Sequence, residues 1–558
     1  MILGLLCLGG ALGLFVVQSK ELQQQATQSS STTVHEHASV TPPRVQATAN
    51  PQSASEAFTL PAFDATQNSF VTLENEAIRV HFSLLGGGIH SVELKKFTAQ
   101  RDGNEPYIFN KNAGLPALTL GWDKHQSITQ RFQVTHQADR FLQLHTTLED
   151  GTILVRGYKL AASDAENPYS IQTEISIVQP KGFTSNVKAD RTHRSLWILL
   201  GSMPDMPGDK YQEYLNFCAY NGKEMECQRL ADFEASNGFL GMGGHEAHPY
   251  LEFSKPYHWG ALKNQFFAAI FTPQTPAIGC LSFPRVQEGR SFMQGFLQME
   301  ITQSPMTISA TYYVGPKQYL LLEKMGQHQD ELMQFGFFSA FSKVLLLSMQ
   351  GIHSFIPNWG WTIVILTVII KLLMWPVTQM QLRSSQKMSS LQEPLKKLKE
   401  KYKDNPKKMQ EETMKLFKEC HINPASGCLP MLIQIPIFIG LYYMLRSASE
   451  IRFQPFLWVK DLSVPDTVGY LGSIPINIMP LLMGVTMVLQ MKITPMPSTD
   501  GSQQKILMLM PFIFLFFCYN FPSALVLYWT VQNLFTIFQN KLTYRKKPIA
   551  SIGSEQKR

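Results

Sequence analysis

Cysteine is scarce in this chain, with seven residues in 558, too thin a scatter for a scaffold built on disulfides. Acidic charge is scarce in its last two-fifths. Before residue 340 the sequence carries 25 basic and 31 acidic residues and after it 24 basic and 11 acidic, so −6 and +13 make up the net +7. The short patterns of common catalysts are missing too: there is no Gly-x-x-x-x-Gly-Lys-Ser/Thr phosphate loop, no Gly-x-Ser-x-Gly elbow and no His-Glu-x-x-His. His245-Glu246-Ala247-His248 has the wrong spacing for two ligands on one helical face and sits among glycines beside Pro249, so it reads as a loop without metal. No cofactor and no enzymatic chemistry are expected. General disorder is excluded as well, because 11% aromatic residues and long aliphatic runs can bury ample surface.

A mean hydropathy of −0.07 averages two unlike parts. Ile2 to Val17 is an apolar run with no basic residue before Lys20, which reads as an uncleaved anchor over residues 1–20. Residues 21–57, rich in Gln, Ser, Thr, Ala and Pro, read as a flexible linker. Period-two alternation then begins. Ile78, Val80, Phe82 and Leu84 precede Gly86-Gly87-Gly88, and Tyr169, Ile171, Thr173, Ile175 and Ile177 repeat the pattern. Glu149-Asp150-Gly151 between two apolar runs marks a hairpin. Residues 58–325 are thus expected to form a large all-β antiparallel domain, a sandwich. Cys218 and Cys227 can pair there in an oxidising compartment, which spacing alone leaves open, with Cys280 left over.

Beyond Leu332 the pattern changes. Residues 330–350 read as an amphipathic surface helix. Five apolar stretches follow, Trp359–Val377, Leu429–Leu445, Tyr470–Met491, Ile506–Asn520 and Ala524–Phe538, making six spans with the anchor. Residues 351–545 therefore read as an all-α polytopic membrane bundle, followed by a basic tail, 546–558. Eleven Lys/Arg fall between Arg383 and Lys418, and six more follow from Lys541. By the positive-inside rule both regions are cytoplasmic; an even span count puts the N-terminus there too and the β domain on the far side.

Within residues 383–421, Met388, Leu391, Leu395, Leu398 and Tyr402 make one apolar stripe and Met409, Thr413, Leu416 and Cys420 another, separated by Lys403-Asp404-Asn405-Pro406. That spacing predicts an antiparallel two-helix hairpin, with Pro394 kinking the first helix or marking its start. Lys396, Lys397, Lys399, Lys401, Lys407 and Lys408 form its basic exterior, suited to anionic partners such as ribosomal RNA or lipid head groups. Lys371 lies within an apolar span, where a charge costs about 2.5 to 3.5 kcal/mol and each apolar neighbour returns about 0.3 to 0.6. Its ammonium either snorkels to the interface or faces a hydrated cavity. Thr367 one turn earlier, Gln434 in the next span, and Gln532 and Asn533 in the last favour the cavity.

The stretches GWTIVILTVIIKLLMWPVT, NPASGCLPMLIQIPIFIGLYYMLR, PLLMGVTMVLQMKITP and QQKILMLMPFIFLFFCYNFPSALVLYW, with LLGGGIHSVELKKF in the β domain, resemble the YidC/Oxa/Alb family of membrane protein insertases in its Gram-negative form. The resemblance implies a periplasmic β-super-sandwich and a positively charged groove within the bilayer, open to cytoplasm and lipid. Lys371 stands where the family usually has arginine, which keeps the charge but loses the bidentate fork. The resemblance also implies that Thr367, Phe438, Tyr528 and Trp529 contact or guide the incoming helix. The expected function is insertion and folding of nascent membrane proteins at the bacterial inner membrane. The ribosome, the Sec translocon with its accessory subunits, and anionic lipids are the expected partners, and DNA is not one. A secondary transporter of a small anion would show paired repeats, which are not visible. A carbohydrate-binding receptor or enzyme resting on the sandwich would need paired carboxylates in a cleft.

Overall fold

The computed structural model describes residues 69–111, 113–179, 195–206, 209, 212–235, 246–403, 405–420, 429–493 and 501–545. The expected anchor, linker and basic tail lie outside them. The chain divides after Leu332 into two compact units.

In the first unit, alternation becomes burial. Ile78, Val80 and Phe82 are fully buried on one face of the strand Ile78–Ser83, and Ile171, Thr173, Ile175 and Ile177 on one face of Ser170–Val178. Phe141–Thr147 and Ile153–Leu160 pair antiparallel, and Gly151 supplies the positive φ (82°) that their turn requires. A nine-stranded sheet runs in spatial order Met225–Arg229, Asn216–Tyr220, Trp259–Lys263, Phe267–Pro273, Met306–Pro316, Ser170–Val178, Ile153–Leu160, Phe141–Thr147 and Gln133–Ala138. A six-stranded sheet is built around Ser195–Pro204 and Arg290–Glu300, and a four-stranded sheet begins the unit. The two larger sheets face each other closely: a Cβ on Gly295 of one would sit 2.3 Å from the Phe217 ring of the other. This is the expected sandwich. Cys218 and Cys227, directly opposite on adjacent strands, form a disulfide, and Cys280 is buried as a free thiol.

The glycine run is explained by its surroundings. Gly86 and Gly87 take φ of 71° and 64°, and a Cβ on Gly88 would lie 2.4 Å from the Ala117 carbonyl oxygen. The buried Arg156 guanidinium donates to the Gly86 carbonyl at 3.0 Å, and the Tyr158 hydroxyl donates to that of Gly87 at 2.7 Å. A short helix α1, Tyr319–Met325, closes the unit.

The second unit is helical. Helix α2 spans Ser339–Phe355, later than the expected 330–350, because Gln334 and Gly336 take positive φ (52° and 66°) and interrupt helical hydrogen bonding before Ser339. Helix α3, Trp359–Leu373, is capped by the Asn358 side chain. It is followed at once by α4, Trp375–Ser390, at an angle of 58°. The single span expected over Trp359–Val377 is therefore bent, since Pro376 has no N–H and its ring opposes the carbonyl four residues earlier. Helices α5, Gln392–Lys401, and α6, Pro406–Glu419, form the hairpin: Leu391 and Leu395 pack on Leu416, Phe417 and Cys420. Pro394 falls in the first turn of α5 and so marks its start.

Helix α7 spans Leu429–Ser447, α8 Ile478–Ile493, α9 Gly501–Cys518 and α10 Ser523–Arg545. The expected span Tyr470–Met491 is corrected at its start: Thr467–Leu471 and Ile474–Asn477 make a β-hairpin, and only then does α8 begin. Gly472 in a left-handed conformation and the β-branched Ile474 and Ile476 favour strands, a distinction that hydropathy does not register. Among the described residues no single helix is long and apolar enough to cross a membrane by itself; the bent pair Trp359–Leu373 and Trp375–Arg383 has the length and composition to do so, and no more than that. Ser342 donates to the Gly440 carbonyl at 3.0 Å, seating α2 on α7, and α10 packs against both α3 and α8.

Candidate functional site

Helix α10 presents Tyr528, Gln532 and Thr536 at successive four-residue steps, which places their side chains above one another on one face. That face meets the two polar side chains of neighbouring helices. The Gln434 amide on α7 spends both its N–H groups there, donating to the Tyr528 hydroxyl at 2.7 Å and to Gln532 Oε1 at 3.1 Å. From α3, Lys371 Nζ donates to Thr536 Oγ1 at 3.1 Å, and that hydroxyl donates to the Gln532 carbonyl at 2.8 Å. The result is one connected polar array from Tyr528 to Lys371. Among the described residues no carboxylate pairs with the Lys371 ammonium. That bond ties the ammonium of α3 to α10, across the bundle from its own helix.

A farther rung lies beyond it, where Gln379 of α4 donates to Thr543 of α10 at 2.8 Å. Between the two rungs the side chain of Gln539 is fully buried with neither amide atom hydrogen-bonded. An unsatisfied buried amide costs about 1 to 3 kcal/mol. This stretch of α10 is therefore poorly solvated by protein and suited to polar company.

Thr367 is not part of the array. Its hydroxyl is buried and donates to the Ile363 carbonyl at 2.7 Å within α3, the usual back-bond of a helical threonine. Asn533, one residue on from Gln532, points elsewhere and donates to Thr486 of α8 at 3.1 Å. Tyr528 and Trp529 also part company, because adjacent helical residues diverge by about 100°. Tyr528 is buried in the polar array, while Trp529 meets Phe438 edge-on at 4.8 Å and lies 4.4 Å from Phe514 between ring centroids. Those three rings lie beside Met483, Cys518 and Leu525 in an apolar cluster that leaves no space for a water molecule. Helix α10 thus carries a polar face and an aromatic face side by side.

On the hairpin, Lys396, Lys397, Lys401, Lys407 and Lys408 are exposed, and the Lys401 and Lys408 ammonium groups lie 5.4 and 5.7 Å from the Tyr402 ring centroid. The Lys399 side chain lies outside the described residues. None of the five forms a salt bridge with a carboxylate among the described residues, although Lys401 and Lys408 lie near enough to Glu412 to help Lys415 lower its carboxyl. Thr536 is the participant that the sequence reading misses, although the four-residue step from Tyr528 through Gln532 is visible in the sequence. No group of three or more candidate metal ligands occurs among the described residues.

Two family models match the chain. One, described as the YidC periplasmic domain, matches residues 70–347, and another, described as the 60Kd inner membrane protein, matches residues 351–550. The membrane protein insertase YidC of Haemophilus influenzae is 30% identical over 533 residues, covering 88% of this chain and 89% of the relative. That of Oleidesulfovibrio alaskensis is 39% identical over 301 residues, and the match spans 52% of this chain and only 54% of the relative. A crystal structure of an active YidC insertase with its first transmembrane domain resolved aligns over 86% of this chain and 93% of its own, at 19% identity and a TM-score of 0.35.

Proposed function

The chain belongs to the YidC family of membrane protein insertases, and from that premise we propose that it inserts nascent membrane proteins by way of the polar array on α10. The observation that carries this reading is the array itself: Tyr528, Gln434, Gln532, Thr536 and Lys371 connect by hydrogen bonds among helices whose sequences are largely apolar. The family is one of the inner membrane with a periplasmic domain, and the Cys218–Cys227 disulfide suits an oxidising compartment.

In this reading the membrane is crossed six times, both termini and the hairpin 383–421 face the cytoplasm, and the β unit is periplasmic. A ribosome-bound chain meets the exposed lysines of the hairpin, which also suit anionic lipid. The polar end of the substrate enters along Gln532, Thr536 and Lys371, exchanging hydration for amide, hydroxyl and ammonium groups. Its apolar segment passes the Phe438 and Trp529 rings into lipid. Transfer of that segment supplies the driving force, and the array lowers the barrier for the polar part. The Sec translocon and its accessory subunits are the proposed partners for substrates with larger polar regions.

The test is reconstituted insertion of a single-span substrate with an acidic N-terminal tail. Lys371→Arg retains insertion and Lys371→Ala weakens it, since a mobile anion needs the charge but not a planar fork. Wild-type insertion by the alanine variant would remove Lys371 from the mechanism for that substrate.

A further inference from the structure

The β-hairpin that replaces the start of the expected third apolar span has no role in the array. It is also an unusual object. From Thr467 to Met491 the sequence holds no Asp, Glu, Lys, Arg or His. Around the Gly472-Ser473 turn, Tyr470, Leu471 and Ile474 are 71%, 74% and 63% exposed, and Val468 is 54% exposed. An uncharged two-stranded ribbon with bare edges and an apolar tip is a site of self-association in water, which soluble proteins block with charged side chains. Here no charge blocks it.

The base, by contrast, is fixed. The Tyr519 hydroxyl donates to the Pro475 carbonyl at 2.6 Å, and Asn477 Nδ2 donates to the Tyr519 carbonyl at 2.7 Å, tying the second strand to the end of α9. Thr467 donates to Asn477 Oδ1 at 2.7 Å across the ribbon. Asp466 Oδ2 accepts from the Met479 backbone N–H at 2.7 Å in the first turn of α8 and from Trp458 Nε1 at 3.0 Å. The apolar tip is therefore held out at a set position rather than left to collapse onto the helices.

Its exposed surface is continuous with that of the helix it enters. Leu481, Val485 and Leu489 of α8 are 44%, 56% and 46% exposed, the face that the membrane reading assigns to lipid. We infer that the hairpin is an interfacial anchor whose tip, Tyr470, Leu471 and Ile474, seats in the head-group boundary of the leaflet on the far side from the basic hairpin. The depth is limited by the backbone. Open strand edges cannot enter the hydrocarbon, where their N–H and C=O groups would have no partner, so the ribbon stops at the interface with Tyr470 as its aromatic member. Such an anchor fixes the height of α8, and through the Thr486–Asn533 bond that of α10, against the bilayer.

This inference rests on the reading of the helical unit as membrane-embedded, and the experiment separates the two. The full chain, with the cysteines outside the disulfide replaced by alanine, carries an NBD probe on Leu471→Cys or, as reference, on Val485→Cys, and is reconstituted in phosphatidylethanolamine–phosphatidylglycerol vesicles. The expected result at Leu471→Cys is a blue shift of emission, with quenching by head-group-attached nitroxide stronger than by aqueous iodide. Val485→Cys should respond to nitroxide placed on the acyl chain. Aqueous emission and strong iodide quenching at 471, with 485 in lipid, would overturn the anchor alone. Protection from both quenchers at 471 points to a protein partner and overturns it equally. A probe at 485 that reports water overturns the membrane reading instead. Ile474→Cys repeats the measurement if the first variant does not fold.

Discussion

Thr536→Val removes one oxygen from the array and almost nothing else. Valine matches threonine in shape, so α10 should keep its packing while Lys371 loses the acceptor now 3.1 Å from its ammonium. A hydrogen bond to a charged group is worth about 1.5 to 3 kcal/mol. At about 1.4 kcal/mol per factor of ten, the population of lysine held across the bundle falls roughly 10- to 150-fold. The released side chain then extends along α3 toward the nearest aqueous interface. If the substrate's acidic tail is met by the positioned ammonium, insertion of an acid-tailed single-span protein into proteoliposomes, read by protease protection, slows within that range. Thr536→Ser keeps the oxygen and should restore the rate, which a mere packing role for threonine would not do. A tail made neutral should lose its sensitivity to the valine substitution. Insertion by Thr536→Val at the unaltered rate, with normal folding, refutes the idea that the lysine works from this position.

The β unit offers two further measurements. Lys317 is fully buried, and burial, partly offset by the Asp209 carboxylate, lowers its ammonium from the ordinary 10.5 to about 7. The neighbouring Lys263 is lowered in the same direction, first by burial and then by Lys317. Because the unfolded chain binds the proton more tightly, the stability lost as pH falls from 10.5 toward 7 returns as pH rises through that window. The β unit should gain roughly 2 kcal/mol between pH 7 and 9 from Lys317 alone. Pulse proteolysis of the full chain in urea measures this, and Lys317→Met should flatten the profile; a flat or falling profile in the unaltered protein would contradict the burial argument. Cys218→Ala opens a bridge that spans nine residues, a loop short enough that the expected loss is about 2 to 3 kcal/mol, seen as a lower urea midpoint for the same unit and no change in insertion.

Local pattern alone determined much of this protein. The alternation at 78–82 and 171–177, the turn at Gly151, the two hairpin stripes and the change of composition near residue 340 each follow from a period or a charge count within a few residues, and the structure carries the corresponding strands, turn and helices. Lys371 and Gln434 stood out because polar groups in apolar runs are costly wherever they are placed. Hydropathy could not separate the ribbon 467–477 from the helix that follows, since both are apolar and uncharged and only strand pairing and the fixing of Asn477 to Tyr519 distinguish them.

Tertiary structure decided which polar groups meet. Thr367 shares a rough helical face with Lys371, yet its hydroxyl is satisfied by its own helix, while the ammonium reaches Thr536, 165 residues away in sequence. Tyr528 and Trp529 are neighbours in the chain and lie on different faces, one in the polar array and one in the aromatic cluster. The sequence specifies the need for a partner, through the cost of burying a polar atom. Which atom meets that need depends on the rotation and spacing of α3, α7 and α10, set by the packing of many apolar side chains together.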